Sequence, residues 1–88
     1  MKIKLVMLSK KDCSLCNLGK RVVSAINRTY PEWETEIVDV EEESKYSAET
    51  AVNTIPVFLL YIDGQYMSKH NAAVRLETIN RWINKYLK

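Results

Sequence analysis

The chain has 88 residues, 47% of them hydrophobic and 27% charged, with a formal net charge of +2. That is enough chain for one modest hydrophobic core, and its composition excludes a disordered tail or a disulfide-dense secreted mini-protein. So small a charge leaves no footprint for nucleic acid or an anionic membrane surface, and no apolar run approaches the length of a membrane span. Leu5-Val6-Met7-Leu8 after a basic start superficially resembles a signal peptide. The run is too short, however, and Lys10-Lys11-Asp12 ends it without a small-residue cleavage site. The expectation is a single cytoplasmic domain over residues 1–88, acting as a monomer without nucleic-acid or membrane partners.

Residues 2–8 are apolar and extended in pattern, a first strand. From Cys13 onward, Leu15, Leu18, Val22 and Ile26 recur at helical spacing, with Lys20, Arg21 and Asn27 on the other face. Tyr30-Pro31 closes that helix, because a residue before proline is pushed out of the helical region. Residues 34–40 form a second strand, half polar and suited to a sheet edge. Glu41-Glu42-Glu43-Ser44 opens a short helix to about Val52, its acids favoured by the helix dipole. Val57 to Ile62 is continuously apolar and aromatic, as in a central strand covered on both faces. Asp63-Gly64 signals a two-residue hairpin, so Gln65 to Lys69 returns antiparallel as an edge strand. Ile79, Trp82, Ile83, Tyr86 and Leu87 make the apolar stripe of a C-terminal helix, Trp82 and Tyr86 serving as packing residues.

The order is β-α-β-α-β-β-α. Its first β-α-β unit makes parallel neighbours by a right-handed crossover, and the hairpin adds an antiparallel pair. The two most apolar strands, 2–8 and 57–62, belong in the middle of a four-stranded mixed sheet, with 34–40 and 65–69 outside and helices on both faces.

Cys13-Ser14-Leu15-Cys16 holds both cysteines of the chain at the junction of strand and helix. Thiols three residues apart at a helix start share one turn and can form or exchange a disulfide. Cys13 at the first turn has its anion stabilised by unpaired N–H groups and the positive end of the dipole. Lys10 and Lys11 add positive charge nearby, partly offset by Asp12. This makes Cys13 the attacking residue with a lowered pKa, and Cys16, one turn deeper, the resolving one. A zinc site needs four ligands, and only His70 offers a further nitrogen, so a metal would have to be shared between two chains. His70 itself reads as a surface histidine in the loop after the hairpin, and Trp33 as a packing residue.

Ile55-Pro56 belongs at the first residue of the central strand, where proline does not interrupt the ladder; cis and trans bonds are both open. A Thr54-Ile55-Pro56 segment there can offer the backbone of Ile55 to an extended substrate by strand addition.

With these residues in place, the chain resembles the thioredoxin-fold proteins, and within them the glutaredoxins and small glutaredoxin-like proteins. The resemblance spans nearly the whole chain. It rests on Lys10, on Cys13-Ser14-Leu15-Cys16, on Thr54-Ile55-Pro56, and on Ile62-Asp63-Gly64-Gln65 before the last helix. It implies a thiol–disulfide oxidoreductase that needs no bound cofactor and no metal. It also implies that Lys10 and Ile55 contact glutathione while Pro56 packs against the disulfide. Ser14, Leu15 and Thr54 join them as substrate-binding candidates. The partners implied are a disulfide-containing protein as substrate and glutathione or a thioredoxin reductase as reductant. Ser14 and Leu15 stand where glutaredoxins usually carry proline and tyrosine. Ser68-Lys69, then His70, Asn71 and Ala72, stand where they carry two glycines and an acid. Two other readings are a metal- or iron–sulfur-cluster-binding protein with thiolates from two chains, and a non-catalytic binding module built around the Pro56 groove.

Overall fold

Six elements form among the residues that the structure, a computed structural model, describes: residues 2–11, 13–39, 55–71 and 75–87. In chain order they are β1 (Ile3–Ser9), α1 (Ser14–Thr29), β2 (Glu34–Asp39), β3 (Val57–Ile62), β4 (Gln65–Asn71) and α2 (Leu76–Asn84). The helix expected over residues 41–52 lies outside the described residues. No helix among the described residues is long and apolar enough to cross a membrane.

The sheet order is β2-β1-β3-β4, with the two most apolar strands at the centre as their patterns require. β1 pairs parallel with β2, Leu5 opposite Thr35, and antiparallel with β3, Leu5 opposite Leu60. β3 turns into antiparallel β4 through Asp63 and Gly64, both at positive φ (52° and 82°). That pair of conformations matches the twist of a tight hairpin, and glycine adopts it without a side-chain penalty. The Asp63 side chain fastens the turn to the start of the chain, accepting from the Lys2 backbone N–H at 2.8 Å.

Strand alternation splits the interior into two clusters. Ile3, Leu5 and Met7 of β1 and Phe58 and Leu60 of β3 pack with α1 and α2 on one face, so both described helices cover the same side. Val6, Leu8, Val38, Val57, Leu59 and Tyr61 form the buried cluster of the opposite face. The fully buried β1 and β3 therefore read as continuous apolar runs, as central strands do.

Three local expectations need correction. Leu15 and Leu18 are 47% and 40% exposed, so the apolar repeat through them is not the buried stripe of α1. The buried stripe runs through Cys16, Gly19, Val22, Val23 and Ile26. Gly19 lies on this stripe close to β1: a Cβ there would stand 2.7 Å from Met7 Sδ, so a larger residue would force the Met7 thioether to shift. His70 is not in a loop. β4 continues to Asn71, His70 pairs with Phe58 in register, and its ring meets the Trp82 indole edge-on at 5.4 Å. Finally, Tyr86 and Leu87 pack against the core from beyond the end of α2 rather than within it.

Trp33 is a packing residue, as expected, stacked on Tyr30 with ring centroids 3.8 Å apart. The contact between Gly19 and Met7 sets an energetic test. Gly19→Val should destabilise the fold by about 1–3 kcal/mol through overpacking. Met7→Ala alone should cost about 2–5 kcal/mol. Urea unfolding of the double variant should give a total smaller than the sum of the two; strict additivity would place α1 elsewhere.

Candidate functional site

The junction between β1 and α1 holds both cysteines. Cys13 is the N-cap of α1, with extended backbone (φ −117°, ψ 104°), so its side chain faces the open N–H groups of the first turn. The Cys16 backbone N–H donates to Cys13 Sγ at 3.1 Å. A sulfur thus takes the place usually held by a serine or aspartate oxygen at this position. Cys13 and Cys16 are joined by a disulfide, with Cα atoms 5.3 Å apart.

The two sulfurs differ in environment. Cys16 is 2% exposed and belongs to the cluster built on Met7, Phe58 and Ile79. Cys13 is only partly buried, at the edge of that cluster. A reagent arriving from solvent therefore meets Cys13 first.

In front of the disulfide lies an open cavity of about 600 Å³ lined by Lys10, Lys11, Cys13, Ser14, Cys16, Asn17 and Lys20. Three of these seven residues are lysines and none is acidic. No acidic residue lies in the first turn of α1 either, so the positive end of the dipole is not offset from within the helix. Both influences favour a thiolate at Cys13 when the disulfide is reduced.

Of the residues singled out from sequence, Lys10, Ser14, Cys13 and Cys16 are gathered around this cavity. Leu15 stands apart from it, exposed on the surface of the first turn. Ile55 is partly buried and packs against both core clusters, sharing with Cys13 the cluster that contains Cys16. Pro56 is fully buried at the start of β3, and the Ile55–Pro56 bond is cis. Thr54 lies outside the described residues. Asn17 and Lys20 were not singled out, yet helical spacing carries the signal: they fall four and seven residues after Cys13, on its side of the helix. Among the described residues, no group of three or more histidine, cysteine or acidic side chains is assembled to hold a metal ion.

A family model described as thioredoxin matches residues 2–85. The chain belongs to the thioredoxin family. Solved structures agree on the fold. Mitochondrial thioredoxin 3 from Saccharomyces cerevisiae, in its oxidised form, superposes with a TM-score of 0.84 at 20% identity, over 96% of this chain and 78% of that one. Fasciola hepatica thioredoxin gives 0.81 at 22% identity, over 96% and 80%. A malarial protein gives 0.87 at 15% identity over the whole of both chains. No curated protein sequence matches the chain. The thioredoxin fold implied by the CxxC and Ile-Pro segments is thus present. Thioredoxins and glutaredoxins share that fold.

The asymmetry between the sulfurs is directly measurable. Alkylation of the reduced protein at mildly acidic pH, followed by peptide mapping, should label Cys13 well before Cys16. Equal or reversed labelling would contradict the assignment of the accessible, helix-stabilised thiol.

Proposed function

We propose that this thioredoxin-family protein is a thiol–disulfide oxidoreductase that reduces disulfides in protein substrates. The observation that carries the reading is the Cys13–Cys16 pair at the start of α1, one sulfur accessible and the other in the core. In the reduced protein, the Cys13 thiolate attacks one sulfur of a substrate disulfide. A mixed disulfide forms between Cys13 and the substrate, and the other substrate sulfur leaves as a thiolate and takes up a proton. Cys16, after losing its proton, then attacks Cys13 Sγ. The Cys13–Cys16 bond forms, the mixed disulfide breaks, and the second substrate thiolate departs. The substrate gains two electrons and the protein dithiol loses two.

The protein's own residues direct these steps. The Cys16 N–H and the helix dipole stabilise the attacking anion, and the same N–H holds Cys13 Sγ in place. Burial of Cys16 protects the resolving thiol from outside reagents while leaving it one helical turn from the mixed disulfide. Lys10 and Ser14 line the approach, and Ile55, ahead of Pro56, offers backbone to an extended substrate segment.

A reducing cytoplasm and a donor, glutathione or a thioredoxin reductase, complete the cycle. The course of β4 supports the reductase. Glutaredoxins carry two glycines where this chain has Ser68 and Lys69, and these residues pair in register with Leu60 and Leu59. Ser68 Oγ also accepts a bond from Trp82 Nε1 at 3.3 Å. The side chains occupy space that a glycine pair leaves open for close approach to backbone.

Two variants test the cycle. Cys13→Ser should abolish reduction of a disulfide-bonded peptide, leaving only background exchange. Cys16→Ser should accumulate the Cys13–peptide mixed disulfide, visible as a mass adduct. Loss of activity in neither variant would refute the role of the pair. In turnover assays, NADPH with thioredoxin reductase should regenerate the dithiol faster than glutathione does; the opposite order would return glutathione as the donor.

A further inference from the structure

The cavity beside the thiols carries a charge pattern that thiol exchange itself does not require. Lys10 and Lys11 stand at its mouth before the helix, and Lys20 stands two turns along α1. Lys20 is seven residues from Cys13, which at 1.5 Å per residue places it roughly 10 Å down the helix. All three side chains are exposed, and none has an ion pair with another described residue. The surface around the accessible sulfur is thus a basic trough.

We propose that this surface selects, as its substrate, a disulfide in an acidic polypeptide segment: one whose reacting cysteine has carboxylates close by in sequence. The inference rests on the oxidoreductase reading and names the substrate class for it. Carboxylates are the complement of three lysines in a lining that holds no acid among the described residues. Their spread argues for a polypeptide rather than a small carboxylate-bearing thiol. A ligand that engages Lys10 or Lys11 and also Lys20 must extend about two helical turns past the sulfur it exchanges. Such complementarity acts mainly on encounter: charges at the rim raise the association rate and make it sensitive to salt. Chemistry at Cys13 is unchanged, so discrimination lies in which disulfide arrives.

The test compares pre-reduced protein with four disulfides under single-turnover conditions, quenched by acid and alkylation. The first is a cyclic peptide disulfide flanked by glutamates. The second is the same peptide with lysines for the glutamates, the third is glutathione disulfide, and the fourth is neutral bis(2-hydroxyethyl) disulfide. At low ionic strength the glutamate peptide should be reduced about tenfold or more faster than the lysine peptide. The ratio should shrink towards one in high salt. It should fall or invert in Lys11→Glu/Lys20→Glu, because the ratio cancels any change in thiol reactivity common to both peptides. Equal rates for the two peptides, with the neutral disulfide still reduced, would overturn the proposal and leave the oxidoreductase intact. Glutathione disulfide outpacing the glutamate peptide, with no effect of Lys20→Glu on the peptide ratio, would overturn it in favour of a small anion. Failure to reduce any of the four would remove the oxidoreductase reading, and this proposal with it.

Discussion

Cys16 lies in the same buried cluster as Met7, Phe58 and Ile79, three residues from a sulfur that solvent reaches. That double membership ties the chemistry to the fold. The helix that carries Cys16 into the core also places Cys13 at its N-cap, where the sulfur receives the Cys16 N–H. Both placements depend on α1 resting directly on β1, and Gly19 permits that by leaving room for the Met7 thioether. A side chain at position 19 would force the Met7 thioether to move.

The same packing explains which sequence signals were sufficient and which misled. The positions of β1 and β3 at the centre of the sheet were legible because both strands are apolar on successive residues, a pattern that only burial on two faces satisfies. Asp63-Gly64 gave the hairpin, since few residue pairs tolerate two positive φ values in succession. The face of α1 was harder to read. Leu15 and Leu18 outweigh Cys16 and Gly19 in hydrophobicity, yet the helix turns the smaller pair towards Met7 and Phe58. Periodicity ranks side chains by transfer preference and contains no term for the room that the facing side chains leave. The cis bond at Ile55–Pro56 was likewise open, because a proline at a strand start satisfies the ladder in either isomer.

The candidate site divides in the same manner. The pairing of Cys13 with Cys16 and the nearness of Lys10 followed from local spacing. The contribution of Lys20 follows from helical geometry but was masked by its assignment to a solvated face. A solvated face and a binding face differ in what lies beside them, and only the fold puts this lysine beside a disulfide. His70, far along the chain, was misplaced because β4 runs on to Asn71 where a loop was expected.

The central claim is that Cys13 and Cys16 are a reversible couple rather than a fixed staple. The most direct measurement is a redox titration of the purified protein in graded thiol–disulfide buffers, read by mass after acid quenching and alkylation. The account predicts a reversible two-electron transition between dithiol and intramolecular disulfide, with a midpoint within the range spanned by known couples of this fold, roughly −270 to −120 mV. A pair that stays fully reduced or fully oxidised across that range would contradict it.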